Sequence, residues 1–332
     1  MHKSRKIVGY YQFGRYLWTF NRNAKEGLGL WRYTPNFRGM KKYYYDIANL
    51  TMTLSLPEGV AVDTLLPTMR GFRVESAGEQ APILEAECVA KESIPNPEAG
   101  EVLEQVVNDM GCVTIIRVEG GYVITTTFDN HQHTHCMYLA ECFSKALLLM
   151  DWQDKMCHSA LSSLLRIAFG QAIVWHNGVS IHSSTVTLGD KAYMFLGKSG
   201  TGKSTHSRMW LESFAECELL NDDNPMIRVE GGEVKVYGTP WSGKTRCYKN
   251  RSAQVQGLVR LRQAPENRFT RRRGCEAFVE LLPSCAVLRF DDELYDKMCD
   301  TLAAVAQQTT VGVMDCLPNT DAAQVCRAAV EK

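Results

Sequence analysis

Two segments of the chain match the phosphate-loop pattern G-x-x-x-x-G-K-[ST], in which backbone N–H groups of a glycine-rich loop surround the phosphates of a nucleotide. The first segment is LGKSGTGKST, from Leu196 to Thr205, and the second is YGTPWSGKT, from Tyr237 to Thr245. A working loop also needs a strand before it and a helix directly after it. The residues around each match therefore decide which of the two binds phosphate.

The first match has both of these neighbours. The segment KAYMFL, from Lys191 to Leu196, is typical of a strand, and the residues from Thr205 to Phe214 are compatible with a helix. Such a helix directs the positive end of its dipole at the phosphates. We therefore expect ATP to bind here. The residues expected to bind it are Gly197, Lys198, Ser199, Gly200, Thr201, Gly202, Lys203, Ser204 and Thr205.

The second match follows a strand-like segment, Val234 to Tyr237, but its loop is less suited to phosphate. Pro240 lacks a backbone N–H donor, Trp241 adds bulk where phosphates would enter, and the following RCYKNRSAQ shows no amphipathic pattern. We expect no second nucleotide site. Two interpretations stay open: a tight loop at a strand end, or a loop whose Lys244 and Arg246 reach a phosphate at the first site from its far wall.

A pair of carboxylates follows the first match, in LLNDDNP from Leu219 to Pro225. A triphosphate on such a loop needs Mg²⁺, which takes the hydroxyl of Ser204 and a carboxylate, and a transferred phosphoryl group needs a base near the acceptor hydroxyl. Asp222 and Asp223 can divide these two roles. The alternative is structural, because Asp before Asn-Pro is also a good turn former.

The elements that must position these residues change in character along the chain. The first 130 residues are rich in aromatic and β-branched clusters, with a hairpin expected from Val113 to Val118 and Tyr122 to Phe128 and a short helix around Gly100 to Asp109. Apolar residues at helical spacing then predict helices over Met137 to Met150 and Leu161 to Ala168. We predict a β-rich N-terminal domain over residues 1–130 and a second domain over residues 131–332.

Several short strands precede the phosphate loop, and a hairpin with Gly231-Gly232 at its turn follows the aspartates. The tail is typical of a helix in DDELYDKMCDTLAAVAQQ, a strand in TTVGVM, and a last helix capped by Asn319, Thr320 or Asp321. In a doubly wound parallel sheet the loop would follow the first strand. The order found here predicts an α+β fold with a mixed or antiparallel sheet around the site.

At this point the motifs resemble those of a known family. HPr kinase/phosphorylase and, more distantly, ATP-dependent phosphoenolpyruvate carboxykinase have a phosphate loop late in a β-rich core, an Asp-Asp pair after it and a histidine on the strand before it. This chain has GKSGTGKS, the pair Asp222-Asp223, and His182 in VSIHSSTV, over about a fifth of its length from Ile173 to Gly243. The resemblance implies a kinase core of this type.

The resemblance also implies roles for the matching residues. Lys203 and Ser204 would hold phosphates and Mg²⁺, Asp222 would be the metal ligand, and Asp223 would be the base, with His182 at the catalytic site. The chain departs from the family by lacking its glutamate on the strand after the aspartates, since Glu233 lies close to the turn. It also lacks a match to the later segment with which HPr kinases support phosphorolysis, so neither HPr nor the reverse reaction is implied.

We therefore expect an ATP-dependent, Mg²⁺-assisted kinase that phosphorylates a hydroxyl of a protein serine or a small molecule. The first alternative is a nucleotide-binding regulator without phosphotransfer, favoured by the missing glutamate. The second is a lyase-kinase of the carboxykinase sort, for which the chain is short and shows no arginine constellation for oxaloacetate. The sequence leaves the acceptor unnamed and leaves a homo-oligomer open.

Composition limits the other partners. Among 332 residues, Lys plus Arg and Asp plus Glu number 37 each, so no overall charge draws the chain to nucleic acid or to a membrane surface. No apolar run is long enough to span a bilayer. The twelve cysteines are scattered without metal-finger spacing, and we expect reduced thiols and a cytoplasmic location.

Three further features are ambiguous. His131, His133 and His135 alternate and would share one face of a strand, where they could bind Zn²⁺ or Cu²⁺, although we expect an exposed linker there. His206, just inside the loop helix, could lean towards the phosphates, although we expect it to be a solvated helix residue. The run RFTRRRG, from Arg268 to Gly274, is typical of a solvated loop, with contact to a transferring phosphoryl group as the alternative.

Overall fold

The computed structural model describes residues 39–91, 100–108, 111–128 and 133–332, together with the backbone of 10–13, 16–19 and 32–33. The chain divides into two compact units. The first contains the described residues of Met1–Tyr43, Thr53–Leu65 and Glu85–Leu165. The second contains Tyr44–Met52, Leu66–Leu84 and Arg166–Lys332.

The strands of the first half form two sheets. A three-stranded antiparallel sheet has β1 (Tyr10–Phe13), β2 (Tyr16–Thr19) and β3 (Arg32–Tyr33) in sequence order. The strands of the second sheet are β4 (Met40–Ile47), β5 (Leu50–Pro57), β6 (Arg73–Val74), β7 (Leu84–Ala90), β8 (Glu101–Asn108), β9 (Gly111–Val118), β10 (Gly121–Phe128), β11 (His133–Ala140) and β12 (Lys145–Met150). Their spatial order is β6-β4-β5-β7-β12-β11-β10-β9-β8. A short helix, α1 (Val62–Leu65), follows β5.

The hairpin expected around Glu119-Gly120-Gly121 is confirmed, because β9 and β10 pair antiparallel with Val118 opposite Gly121. The predicted domain boundary, between residues 130 and 131, falls between β10 and β11, which are neighbours in this sheet.

The helix expected over Met137 to Met150 is wrong, because these residues include the second half of β11 and all of β12. Every residue of β12 after Lys145 is buried. A strand that is covered on both faces has a continuous run of apolar residues. Some residues of such a run fall at helical spacing by chance, so the pattern alone does not distinguish a strand from a helix. Phe143 lies in the turn between the two strands at φ 56°, outside any helix.

The short helix expected around Gly100 to Asp109 is also wrong. Glu101–Asn108 form the edge strand β8, which pairs antiparallel with β9. Val102 and Val107 are 61% and 77% exposed. Because these apolar residues are not buried, the segment does not show the alternation of buried apolar and exposed polar residues that indicates a strand. Hydrogen bonding to β9 overrides the helix propensity of its glutamates and glutamine.

The rest of the described chain contains five longer helices and nine strands. The helices are α2 (Cys157–Ala172), α3 (Lys203–Ser213), α4 (Cys275–Leu281), α5 (Asp292–Gln308) and α6 (Thr320–Val330). The strands are β13 (Gly178–Ser180), β14 (Ser183–Leu188), β15 (Lys191–Leu196), β16 (Cys217–Asp223), β17 (Met226–Glu230), β18 (Glu233–Tyr237), β19 (Ser252–Gln263), β20 (Arg268–Arg272) and β21 (Thr310–Cys316).

These strands form one mixed sheet in the order β13-β17-β18-β19-β15-β14-β16, with β21 on β19 and β20 on β21. Only β15 with β19 and β19 with β21 run parallel among its described pairs. The expectation of an α+β protein with a mixed sheet around the loop is thus confirmed. The strand before the loop, the strand after the aspartates and the helix, strand and helix of the tail lie where expected, and Asn319 caps α6 by accepting from the N–H of Ala322.

The core of this sheet fixes the position of α3. Trp210, fully buried, packs its ring 4.4 Å from Tyr193 and 5.5 Å from Phe195, both on β15. The small residues Ala322 and Ala323 of α6 belong to the same cluster and allow the helices to approach closely. Because β15 and α3 flank the glycine loop, this packing holds both ends of the loop.

His206 was expected to be solvated, and this is wrong. Its side chain is 1% exposed and its Nε2 accepts a hydrogen bond of 3.1 Å from the indole N–H of Trp210. Phe195 lies against its ring at 4.6 Å. Burial lowers the pKa of His206 to about 4, so the imidazole is neutral near pH 7.

Two further observations concern the whole of the described chain. Each of the twelve cysteines is a free thiol. None of the described helices combines the length and the apolar character needed to cross a membrane.

The buried imidazole predicts an acid-sensitive stability. The unfolded chain binds this proton near pH 6.5 and the folded protein only near pH 4, so the unfolded state holds more protons in between and stability falls as the pH falls. From pH 6.5 to pH 4 the parent should lose about 3 kcal/mol more than His206→Gln, at about 1.4 kcal/mol per pKa unit. Urea unfolding at a series of pH values measures this, with His158→Gln, at an exposed position, as control. Parallel curves for the parent and His206→Gln would contradict it.

Candidate functional site

Backbone register brings the candidate residues to one edge of the mixed sheet. Leu196, the last residue of β15, lies opposite Ser183 of β14, and Ser183 lies opposite Asp223, the last residue of β16. His182 directly precedes Ser183, and Gly197 directly follows Leu196. The glycine loop, the histidine and the aspartate pair therefore meet, although they are far apart in the sequence.

The glycine loop has the backbone that its pattern predicts. Gly197, Gly200 and Gly202 have φ values of 150°, 79° and 106°, which residues with side chains rarely adopt. Gly202 is the N-cap of α3, and no side chain caps that helix. The helix thus starts with N–H groups that an anion can bind.

Lys203 folds back over this loop. Its Nζ donates to the carbonyl oxygens of Gly197 at 3.0 Å and Lys198 at 3.3 Å. Burial lowers its pKa below the ordinary value, and the charges of Asp223 and Asp222 oppose that shift. The ammonium group is therefore held at the loop, with two carboxylates near it.

Ser204 and Asp222 form the pair that could hold a divalent cation. The Ser204 hydroxyl donates to the carboxylate of Asp222, at 3.0 Å from Oδ1 and 3.3 Å from Oδ2. Asp222 is buried, whereas Ser204 is exposed. Among the described residues, no three His, Cys, Asp or Glu side chains cluster as a metal site. The all-oxygen pair instead suits Mg²⁺ that takes its other ligands from phosphates and water.

Asp223 faces a different set of groups. Its Oδ1 lies 3.2 Å from Nε2 of His182, and its Oδ2 accepts from the amide of Asn224. Burial raises the pKa of this carboxyl, but the hydrogen bond and charge of His182 and the charges of Arg166 and Lys203 outweigh it, so the pKa lies below its ordinary value. The side chains of Asp223 and His182 are 37% and 43% exposed, so an acceptor can reach both.

Sequence reasoning missed two arginines near this edge. Arg166 of α2 donates to Asn224 Oδ1 at 3.4 Å, and its charge acts on Asp223. Arg260 lies opposite Leu196 across β15 and β19, and it pairs with Glu280 at 2.8 Å. Arg260 helps to lower the pKa of Lys203. No local pattern marks either residue, because only the tertiary fold brings them close.

The loop of the second pattern match, Gly238–Thr245, lies beside the aspartate pair. No helix follows it within 246–251. Trp241 is buried and packs against Phe169 at 5.9 Å, while Gly243 donates its backbone N–H to the carbonyl oxygen of Asp222 at 2.8 Å. This geometry is that of a loop bound to a strand.

Lys244 and Arg246 project from that loop. Both side chains are exposed, and neither makes a hydrogen bond or ion pair with the residues that the structure describes. Their contact with a substrate or phosphate stays a prediction.

The histidine run does not form the expected linker. His131 lies outside the described residues, and His133 and His135 belong to β11. Each is paired with an aspartate, His133 with Asp151 at 2.8 Å and His135 with Asp154 at 2.7 Å. One ring nitrogen of each histidine is thus engaged by a carboxylate, and Nδ1 of His135 also accepts from the backbone N–H of Asp151 at 3.2 Å.

The arginine run is not the expected solvated loop either. Its first five residues, Arg268–Arg272, form the strand β20, antiparallel to β21. Arg268 pairs with Asp315, Arg271 donates to Thr310, and Arg272 pairs with Glu276 of α4. Pairing across β20 and β21 accounts for a strand where the charges alone indicated a loop.

Glu233 lies at the turn of the hairpin formed by β17 and β18, where it faces Glu230. The opposite end of the hairpin, where Met226 pairs with Tyr237, is the end next to the aspartates. Glu233 bonds to Lys235 at 3.3 Å. It does not take the position of the missing glutamate.

No model of a known protein family matches this chain, and no curated protein matches it significantly.

The two pattern matches predict opposite results for their lysines. Lys203→Ala should abolish ATP binding while the protein stays folded, because this ammonium group provides the positive charge that β- and γ-phosphates need. Lys244→Ala should keep ATP affinity close to that of the parent, because its loop encloses no phosphate position. Titration calorimetry with ATP and Mg²⁺ measures both, with circular dichroism as the check of folding. An unchanged affinity in Lys203→Ala, or lost binding in Lys244→Ala, would reverse the assignment.

Proposed function

We propose that the protein is an ATP-dependent, Mg²⁺-assisted kinase that transfers a phosphoryl group to a hydroxyl of a protein or a small molecule. The observation that carries this proposal is the register that aligns Leu196, Ser183 and Asp223. It brings a glycine loop that matches the phosphate-loop pattern, the Ser204–Asp222 oxygen pair and an accessible carboxylate to one sheet edge. These are the three parts that phosphoryl transfer requires.

The nucleotide would bind at the glycine loop. The free N–H groups at the start of α3 and the ammonium group of Lys203 would take the phosphate oxygens, with Lys203 exchanging its bonds to Gly197 and Lys198 for phosphate. Ser204 and Asp222 would hold Mg²⁺. Bound there, the cation would supply positive charge that offsets the negative charge developing on the phosphates.

Asp223 would act on the acceptor. Its carboxylate accepts the proton of the acceptor hydroxyl, whose oxygen forms a bond to the γ-phosphorus while the bond from that phosphorus to the bridging oxygen breaks and ADP leaves. His182, bonded to Oδ1, orients this carboxylate. The side-chain amide of Asn224 donates to Oδ2 of Asp223 and so restricts the orientation of that carboxylate oxygen.

A nucleotide-binding regulator without phosphotransfer is the second candidate, favoured by one observation. Glu233 lies at the far end of its hairpin from the aspartates, so it does not supply the third carboxylate that kinases of the resembling family have. The two candidates share the ATP site and differ in turnover. Measuring ADP formation from ATP and Mg²⁺, with and without protein and small-molecule hydroxyl acceptors, separates them, because only a kinase is stimulated by its acceptor.

The two aspartates should give two different phenotypes. Asp223→Asn should bind ATP with Mg²⁺ like the parent yet lose transfer by about a hundredfold or more, as expected for a general base. Asp222→Asn should first weaken the Mg²⁺-dependent part of ATP binding, because it removes a charged ligand. Calorimetry and single-turnover phosphate transfer measure the two effects. If both variants bind and turn over ATP like the parent, the pair is only a turn before Pro225 and the kinase proposal fails.

A further inference from the structure

The loop of the second pattern match is tied to the aspartate pair by a buried amide. Asn221 is fully buried. Its Nδ2 donates to the carbonyl oxygen of Trp241 at 3.1 Å and to Thr239 Oγ1 at 3.3 Å. Its Oδ1 accepts from the backbone N–H groups of Asp223 and Asn224, both at 3.0 Å. One side chain thus connects the loop to the backbone that carries both aspartates.

A second connection runs through the backbone of Asp222. The N–H of Asp222 donates to Ser242 Oγ at 3.3 Å, and its carbonyl oxygen accepts from the N–H of Gly243 at 2.8 Å. Ser242 Oγ in turn donates to the carbonyl oxygen of Thr245 at 2.8 Å. Because β16 is the last strand on its side of the sheet, the loop supplies hydrogen bonds that no neighbouring strand supplies there.

Gly243 allows this close approach. A Cβ at this position would lie 2.5 Å from the carbonyl oxygen of Asp222 and 3.3 Å from Cβ of Asp223. The first contact is with backbone, which cannot rotate away, so any side chain would push the loop and the strand apart. The glycine that completes the phosphate-loop pattern therefore serves contact with a strand.

We propose that the loop Gly238–Thr245 is a positioning element, here called the aspartate clamp, which sets the affinity of the site for Mg²⁺. This inference rests on the proposed function of the same site. The clamp holds the backbone of Asp222 so that its carboxylate stays within reach of Ser204. Mg²⁺ demands near-ideal geometry from its ligands. A small displacement of Asp222 should therefore weaken Mg²⁺ binding before it weakens binding of the nucleotide itself.

Gly243→Ala tests the clamp. We expect the Mg²⁺ concentration at half-maximal enhancement of ATP binding to rise about tenfold or more, the usual cost of losing a group that orients a metal ligand. ATP affinity without Mg²⁺ should stay within about twofold of the parent, because the glycine loop is untouched. Gly170→Ala is the matched control, since its Cβ would meet only Ser180 at an ordinary 3.8 Å.

A second readout needs no bound ligand. The amide hydrogen of Asp222 should exchange faster in Gly243→Ala than in the parent, because its bond to Ser242 Oγ is broken, whereas Gly170→Ala should leave it unchanged. If Gly243→Ala does not fold, Ser242→Ala removes the same acceptor without a steric clash and should raise both the exchange rate and the Mg²⁺ requirement.

The outcomes for the clamp and for the kinase are separable. A parent whose ATP binding does not depend on Mg²⁺ contradicts the proposed function and the clamp's role in Mg²⁺ binding together. A parent with Mg²⁺-dependent binding, matched within about twofold by a folded Gly243→Ala or Ser242→Ala variant, overturns the clamp alone and leaves the proposed function standing.

Discussion

The antiparallel pairing of β14 with both β15 and β16 is the constraint on which the site depends. It sets Leu196, Ser183 and Asp223 side by side, and a slip of one residue would send every side chain of the slipped strand to the other face. The buried side chains of Val186, Tyr193 and Phe195 fix the register of the first pair. In the second pair the register shifts between Thr185 and Val186, a bulge of the kind that re-aims side chains at strand ends.

Electrostatics around Asp223 favour an ionised carboxylate. With His182, Arg166 and Lys203 nearby, its pKa lies below the ordinary value despite burial. A carboxylate of this kind is a weak base, which limits what it contributes to proton transfer in the ground state. Phosphoryl transfer through a loose transition state tolerates a weak base, because positioning and charge stabilisation supply most of the rate enhancement. In the proposed kinase, this arrangement would therefore suit orientation of the acceptor hydroxyl more than its early deprotonation.

Local patterns predicted the parts of the fold that local interactions determine. The strand, glycine loop and helix around Lys203 form a continuous segment with its own backbone rules, and so does the hairpin at Gly120-Gly121. Sequence reasoning failed where contacts with distant residues determine the structure. Because β12 is buried on both faces, its sequence lacks the alternation of apolar and polar residues that indicates a strand. The burial of His206 depends on neighbours in the core that the sequence of its helix does not reveal. Arg166 and Asn221 carried no signal, because their roles come from contacts across the fold.

The two matches to one pattern show why glycine spacing alone does not identify a phosphate site. In the first match the glycines take positive φ values, which turn the loop back on itself and leave N–H groups at the start of α3 without side-chain caps. In the second, neither Gly238 nor Gly243 has a positive φ, and a Cβ at either would meet backbone atoms within 2.5 Å. The glycines of the first match permit a backbone conformation with positive φ, and those of the second permit close contact with neighbouring backbone. The atoms that lie near each glycine therefore distinguish a loop with the backbone of a phosphate-binding loop from one that supports a strand, and only the folded structure shows them.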